Sequence, residues 1–337
     1  MTSQVTVKKR NAALDVLRCF LMYLVVLQHT IVHGALPHSE LASRPMLFLL
    51  GMTFPAVDGF TAISGWFGVK CTIRKLFRLG ALIFFCGTLA FVLCNLFHGL
   101  FGEILQERLG VESNKIQWGY GVYRYWYLGA YAKLMVLSIA LNPVLEWIGK
   151  HSRAAIAGSG VALAVVVYWI KYQFGWTSQS WQTLVLVYVF MRLMISLRFP
   201  QFVWSVLFAL LLCVTIALCA FGKGGVLHDY ANPITILAGI AVVGFVNGWK
   251  LSEGHWLAKT CIYLAPSMIS VYMLHMVFVA YGVRPATAIL CKFHLGGLNL
   301  LAFVFLAALA FALTACVDLI RRKVARLLNR ALNVSGE

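Results

Sequence analysis

The 337-residue chain predicts an all-α, polytopic membrane protein with about ten transmembrane helices and both termini in the cytoplasm. Three observations lead there. Hydrophobic residues make up 61% of the chain and charged residues 12%, with a mean hydropathy of +0.84, whereas a soluble domain is about half apolar and a quarter charged. Apolar stretches long enough to cross a hydrocarbon core, which takes about 20 helical residues, begin near residues 14, 45, 79, 121, 154, 181, 201, 232, 260 and 298. The basic residues between these stretches favour every second connection. Such a composition excludes a cytosolic enzyme, a secreted disulfide scaffold and a disordered tail.

The connections justify each span in turn. Lys8, Lys9 and Arg10 precede span 1; Lys70, Arg74, Lys75 and Arg78 separate spans 2 and 3; Lys150 and Arg153 follow span 4. Arg192 and Arg198 follow span 6, Lys250 and Lys259 follow span 8, and Arg321, Arg322, Lys323, Arg326 and Arg330 close the chain. These faces hold 18 of the 28 positive residues. By the positive-inside rule the net charge of +17 is therefore mostly a topology signal with lipid headgroups as its partners, and nucleic acid is not expected. The expected location is the inner (cytoplasmic) membrane, as a multi-pass protein.

Span 1 reads as a retained helix: Arg18 interrupts its apolar run and no small-x-small cleavage site follows. One membrane domain fills residues 1–337, with a core over about 12–320 and a short basic tail from 321. The connection over 98–120, with Glu103, Glu107, Arg108, Glu112 and Lys115, is expected to form a small extracellular cap. Of the nine cysteines only Cys291 falls in an outer loop, so no extracellular disulfide can form, and there is no C-x-x-C framework for zinc or redox chemistry.

Chemistry is then sought among polar residues at membrane depth, where each costs roughly 2.5–3.5 kcal/mol on insertion scales. Span 1 carries Arg18 and His29, eleven residues apart. Eleven residues make about three turns, so the side chains share a face and stand roughly 16 Å apart along the axis. An anion-binding guanidinium near the cytoplasmic edge is thus aligned with a titratable imidazole in the outer half. The structural alternative is that Arg18 snorkels to lipid phosphate with Asp15 as its i,i+3 partner while His29 is a satisfied core residue. Span 2 carries Asp58, for which His29 or Arg18 is the natural partner, and Ser64-Gly65, which admits either a close helix contact or a slender ligand. The cluster Arg74-Lys75-Leu76-Phe77-Arg78 reads as a topology signal or as a phosphate clamp. Lys133 in span 4 reads as a buried charge with no derived role.

Taken together, Arg18-x10-His29, Asp58-x-Phe60-x3-Ser64-Gly65, Arg74-x3-Arg78, Trp126-Tyr127-Leu128 and Ser270-Val271-Tyr272-Met273-Leu274-His275 resemble the acyltransferase-3 family of integral membrane O-acyltransferases over about residues 12–320. Two positions depart from that pattern: Tyr125 precedes Trp126 where relatives often have Leu, and Gly59 stands where many have a bulky residue. The resemblance implies transfer of an acyl group, usually acetyl, from cytoplasmic acyl-CoA to a hydroxyl of a glycan, lipid-linked or at the cell surface. No bound cofactor or metal is expected; acetyl-CoA is the donor substrate. Coenzyme A offers phosphates at one end and a thioester on a thin arm at the other. In this scheme Arg18, Arg74, Lys75 and Arg78 hold the phosphates, with Ser64 and Gly65 beside the arm. His29 removes the acceptor proton, and Asp58 fixes the imidazole tautomer or steadies the imidazolium. Trp126, Tyr131, Tyr272 and His275 form the acceptor wall, or serve as packing and interfacial aromatics.

Other readings stay open at this level. His29 and His33 at i,i+4 could share a zinc ion, but the intervening residues lack the glutamate of a metalloprotease signature and no third ligand is apparent. A covalent acyl-His29 intermediate is compatible with the residues. The competing function is a transporter or flippase of a lipid-linked glycan, which Gly51, Pro55, Gly59 and Pro266 would suit; a receptor or scaffold without chemistry leaves Arg18 and His29 without a purpose. The sequence does not fix the acceptor, the acyl length or whether the chain forms an oligomer.

Overall fold

The computed structural model describes residues 11–38, 41, 43–111, 125–175, 180–292 and 298–334, which contain helices and turns but no strand. Thirteen α-helices are defined among them: α1 Ala12–Thr30, α2 Arg44–Thr53, α3 Pro55–Phe67, α4 Ile73–Leu109, α5 Trp126–Ile148, α6 Arg153–Phe174, α7 Trp181–Ser196, α8 Gln201–Ala220, α9 Pro233–Asn247, α10 Trp256–Leu264, α11 Met268–Phe278, α12 Arg284–Cys291 and α13 Leu298–Val334. Among the described residues all ten expected stretches are helical, the fourth from Trp126. Eight helical spans are long and apolar enough to cross a bilayer, while α7 and α9 are shorter apolar helices. Two spans are broken: Arg44–Phe67 comprises α2 and α3, and Trp256–Cys291 comprises α10, α11 and α12. The first break falls at Pro55, whose ring excludes the carbonyl one turn back and which offers no N–H to it.

The helix bearing the polar residues is the hub. α1 packs against α2, α3, α9, α10, α11 and α13, and Leu14, Leu17, Leu21, Val25, Val26 and Ile31 are all buried. Asn11 starts it twice over: its Oδ1 accepts the Leu14 N–H at 3.2 Å, and its Nδ2 donates to Asn247 Oδ1 at 2.9 Å. Helix α6, by contrast, buries only Ile156, as expected of a lipid-facing element. Lys133 is exposed on α5, which corrects its reading as a buried charge.

Small residues let α3 approach two neighbours at once. A Cβ on Gly59 would fall 2.8 Å from Leu21 Cδ1 of α1, and one on Gly239 of α9 would fall 2.7 Å from the Asp58 Cβ. The departure at Gly59 therefore has a packing cause: a bulky side chain has no room there. Long-range contacts also define two ends. Asn247, Phe67, Tyr263 and Arg322 gather near the start of α1 at the basic end, whereas Gly34 meets Val283, Thr287 and Phe303 at the opposite end. Residues 98–109, expected in an extracellular cap, instead continue α4 to its left-handed cap at Gly110 (φ 62°). The rest of that expected cap, 112–120, and Lys8, Lys9, Arg10 and Arg124 lie outside the described residues. The basic segment from Arg321 continues α13 as helix to Val334.

Candidate functional site

The site is built on one stripe of α1. Arg18, Met22, Val25 and His29 follow one another at i, i+4, i+7 and i+11, the spacing of a single helix face. A matching stripe of α3, Val57, Phe60, Ser64 and Phe67, runs along the facing helix.

At the basic end Arg18 is 31% exposed and pairs through Nη1 with Asp15 Oδ1 at 2.6 Å, while Asp15 is 1% exposed. Its guanidinium carbon lies 5.2 Å from the centroid of Phe67. One residue on, Arg192 of α7 brings Nη1 to 3.6 Å from the position of a Cβ on Gly68, and its buried Nε has no hydrogen-bond partner among the described residues. Gly68 itself needs its lack of a side chain, since it closes α3 at φ 75°. Two guanidiniums therefore stand at the C-terminal end of α3, where the helix dipole favours cations. Sequence reasoning read Arg192 only as a topology marker.

Between Arg18 and His29 lies a narrow apolar slot of about 50 Å³, lined by Met22 and Val25 of α1, Val57 and Phe60 of α3, Tyr127 and Leu128 of α5, and Met268, Ile269 and Tyr272 of α11. Ser64, whose Oγ donates to Phe60 O at 3.3 Å, falls between Phe60 and Phe67 on the α3 stripe. Gly65 does not face the slot: a Cβ there would lie 2.9 Å from Met191 Cβ of α7, so it is a helix-packing residue.

His29 is partly buried, and its Nδ1 lies 2.8 Å from Val25 O. A carbonyl oxygen only accepts, so Nδ1 carries the hydrogen and the neutral ring presents a bare Nε2. The ring stacks on His33 with centroids 5.9 Å apart and meets His275 of α11 edge-on at 4.8 Å and 70°. His275 repeats the arrangement, with Nδ1 3.1 Å from Val271 O and a buried Nε2 that has no hydrogen-bond partner among the described residues. Each histidine is followed by a π-helical turn, Ile31–Ala35 and Val279–Val283, and the two turns pack on each other. Such turns shift helical register and recur at functional sites.

Asp58 does not take the place expected of it. It is fully buried against Gly239, and neither carboxylate oxygen has a hydrogen-bond partner among the described residues. The His29 tautomer is set by Val25 O, and Arg18 pairs with Asp15. The expectation that Asp58 partners His29 or Arg18 is thereby corrected: the break at Pro55 starts a new helix in which Asp58 sits against Gly239 of α9.

The aromatic residues do come together, through one that sequence reasoning passed over. Tyr127 stacks on Tyr131 at 6.1 Å, meets Trp126 at 5.9 Å and Tyr272 at 5.7 Å, and has its hydroxyl 3.4 Å from Thr61 Oγ1. Trp126 also meets Tyr230 at 5.6 Å, whose hydroxyl accepts from Gln28 Nε2 at 3.1 Å. Tyr125, the other departure from the pattern, donates its hydroxyl to Met273 O and so anchors α5 on α11.

The basic cluster stands apart. Arg74, Lys75 and Arg78 are exposed on the first turns of α4, which is capped by Thr72, and Lys75 Nζ donates to Lys70 O at 3.0 Å. α4 packs against α11 and α12, and nothing among the described residues joins its basic turn to Arg18. Cations on an N-terminal turn oppose the helix dipole, so an anion seated over them would relieve that repulsion.

A family model for an acyltransferase domain matches residues 11–321, which is nearly the whole chain. No curated protein and no solved structure matches it.

Proposed function

Because the chain belongs to the acyltransferase-3 family, we propose that this membrane acyltransferase moves an acetyl group from acetyl-CoA to a hydroxyl of a cell-surface or lipid-linked glycan, with His29 as general base. The observation that carries the reading is the apolar slot lying between a cation and a base on one helix face. Coenzyme A has that order of parts: phosphates, a slender arm and a thioester. Arg18, with Arg192, receives phosphate at the basic end; the arm lies between Met22, Val25, Val57 and Phe60, with Ser64 at its inner side; and the thioester reaches His29. Arg74, Lys75 and Arg78 add an exposed cationic apron for the nucleotide. The positive-inside bias orients this end to the cytoplasm, where acyl-CoA resides, in an inner-membrane protein.

In the reaction His29 Nε2 takes the proton of the acceptor hydroxyl as its oxygen attacks the thioester carbonyl. The tetrahedral centre collapses, the C–S bond breaks, and the coenzyme A thiolate leaves and recovers the proton from His29. The products are an O-acetyl ester and free coenzyme A. Trp126, Tyr131 and Tyr272 offer ring faces on which a sugar stacks, since apolar sugar faces and aromatic rings match in shape. The test is incubation of the purified protein in lipid with labelled acetyl-CoA and candidate glycans. Label is expected on the glycan with the wild type and not with His29→Ala; equal label from a correctly inserted variant would remove His29 as the base.

A further inference from the structure

Arg18 and Arg192 both stand at the end of α3, but they do not bring the same charge to it. Arg18 is paired with the buried Asp15 at 2.6 Å, so the two sum to zero. No ion pair among the described residues includes Arg192; the aspartates that do pair, Asp15, Asp229 and Asp318, are taken by Arg18, Lys171 and Arg321. Its Nε is buried with no hydrogen-bond partner among the described residues. A cation drawn partly out of water without a counter-ion is costly, and an anion seated against it relieves that cost.

A closed ring of hydrogen bonds holds Arg192 in place. Gly65 lets α7 close on α3, since a Cβ there would fall 3.1 Å from Tyr188 O. The fully buried Tyr188 thereby reaches past the end of α3, where its hydroxyl accepts the Val69 N–H at 3.1 Å and donates to Asn142 Oδ1 of α5 at 2.5 Å. Asn142 Nδ2 completes the ring by donating to Val69 O at 2.7 Å. Both polar groups of the Val69 backbone are thus tied, one through α7 and one through α5. Tyr188 and Arg192 are four residues apart on α7 and share a face. Fixing Val69 therefore fixes its neighbour Gly68 beneath the guanidinium, whose Nη1 and Cζ lie 3.6 and 4.0 Å from the position of a Cβ on Gly68.

We propose that Arg192 recognises the diphosphate of coenzyme A, and that Tyr188 and Asn142 are the positioning residues that hold it over Gly68. The inference rests on acetyl-CoA as the donor. With the arm in the slot, the first anionic group beyond Arg18 is the diphosphate; the 3′-phosphate hangs from the ribose further out, on the side of the exposed Arg74 and Arg78. A guanidinium matches phosphate with paired N–H donors, and that of Arg192 shares its charge with no carboxylate.

The test is isothermal titration of the intact protein in phosphatidylcholine nanodiscs with two probes, CoA and dephospho-CoA, which keeps the diphosphate and lacks the 3′-phosphate. Arg192→Gln is expected to weaken both by the same factor of roughly 10–100, the worth of a hydrogen bond to a charged group. An unchanged affinity, or a loss confined to CoA, overturns the assignment. Tyr188→Phe is expected to weaken both probes by roughly 3–10-fold, the worth of a neutral hydrogen bond, and to add nothing in the Arg192→Gln background, because it acts through Arg192. Asn142→Ala serves where Tyr188→Phe does not fold. An equal loss in both backgrounds reduces the ring to packing and overturns the positioning role. The titrations are repeated in discs containing phosphatidylglycerol, and the Arg192 factor is expected to persist; a factor seen only with that lipid makes Arg192 a headgroup ligand and overturns the proposal. A wild type that binds neither probe removes the donor reading itself, whereas a wild type and an Arg192→Gln variant that bind equally well remove this seat alone.

Discussion

Two ion pairs in this molecule are nearly twins. Asp15–Arg18 on α1 and Asp318–Arg321 on α13 share the i,i+3 spacing, N–O distances of 2.6 and 2.7 Å, and a carboxylate closed off beneath a guanidinium that is 31% and 28% exposed. Each guanidinium lies over a phenylalanine, Phe67 at 5.2 Å and Phe85 at 5.8 Å. Pairwise geometry cannot tell them apart. What surrounds them can. Asp318 Oδ1 also accepts Ser270 Oγ at 2.6 Å and so ties α13 to α11. Eleven residues from Arg321 toward the opposite end stands Ala310, whereas eleven residues from Arg18 stands His29, with the slot between them. The pair is thus a general device for holding a cation at the end of a buried helix, and its use depends on what else occupies that helix face.

Four experiments sharpen or break the comparison. The largest effect belongs to the residue that Arg321 lacks: His29→Ala is expected to lower the transfer rate by 10²–10⁴, the usual worth of a general base, with unchanged yield of inserted protein by size exclusion. Next, Met22→Trp fills the slot and should cut turnover at least about tenfold by blocking the near-attack position of the thioester. Phe85→Trp beside Arg321, on a ring that is 43% exposed, should leave turnover unchanged; equal losses from both would mean that the slot is not where the donor lies. Third, Arg18→Gln and Arg321→Gln should both lower the melting temperature, because each leaves a buried carboxylate without its cation. Only Arg18→Gln should raise the KM for acetyl-CoA, by about tenfold, the worth of one charge-assisted contact; a matching rise for Arg321→Gln would erase the distinction. The smallest effect is expected of Arg74→Gln combined with Arg78→Gln: a KM increase of a few-fold that shrinks as salt is added, as for exposed charges.

Much of this architecture was legible in the chain. Hydropathy marked all ten helical stretches because the bilayer imposes their length, and the eleven-residue interval placed Arg18 and His29 on one face because α1 is unbroken between them. Asp58 was not legible: its direction depends on where Pro55 ends one helix and starts the next, and on a gap at Gly239 that is far away in sequence. The same holds for Gly65, which its own spacing leaves between ligand and neighbour and which Met191 decides. His275 was legible as a site residue, but its place against the His29 ring, like that of Arg192 beside Gly68, comes only through tertiary packing. Tyr127 was within reach of a better reading, since a residue flanked by Trp126 and Leu128 at the start of a span, four residues before Tyr131, faces the same side as Tyr131.

The account stands on the donor's arm lying in the slot between Arg18 and His29. Photolabelling with an acyl-CoA analogue that bears a diazirine beside the thioester reads this directly in the intact protein in lipid. Label is predicted on Met22, Val25, Phe60 or Met268, suppressed by excess acetyl-CoA and reduced by Arg18→Gln. Competable label confined to α6 or α8, with those four residues unmarked, would contradict it.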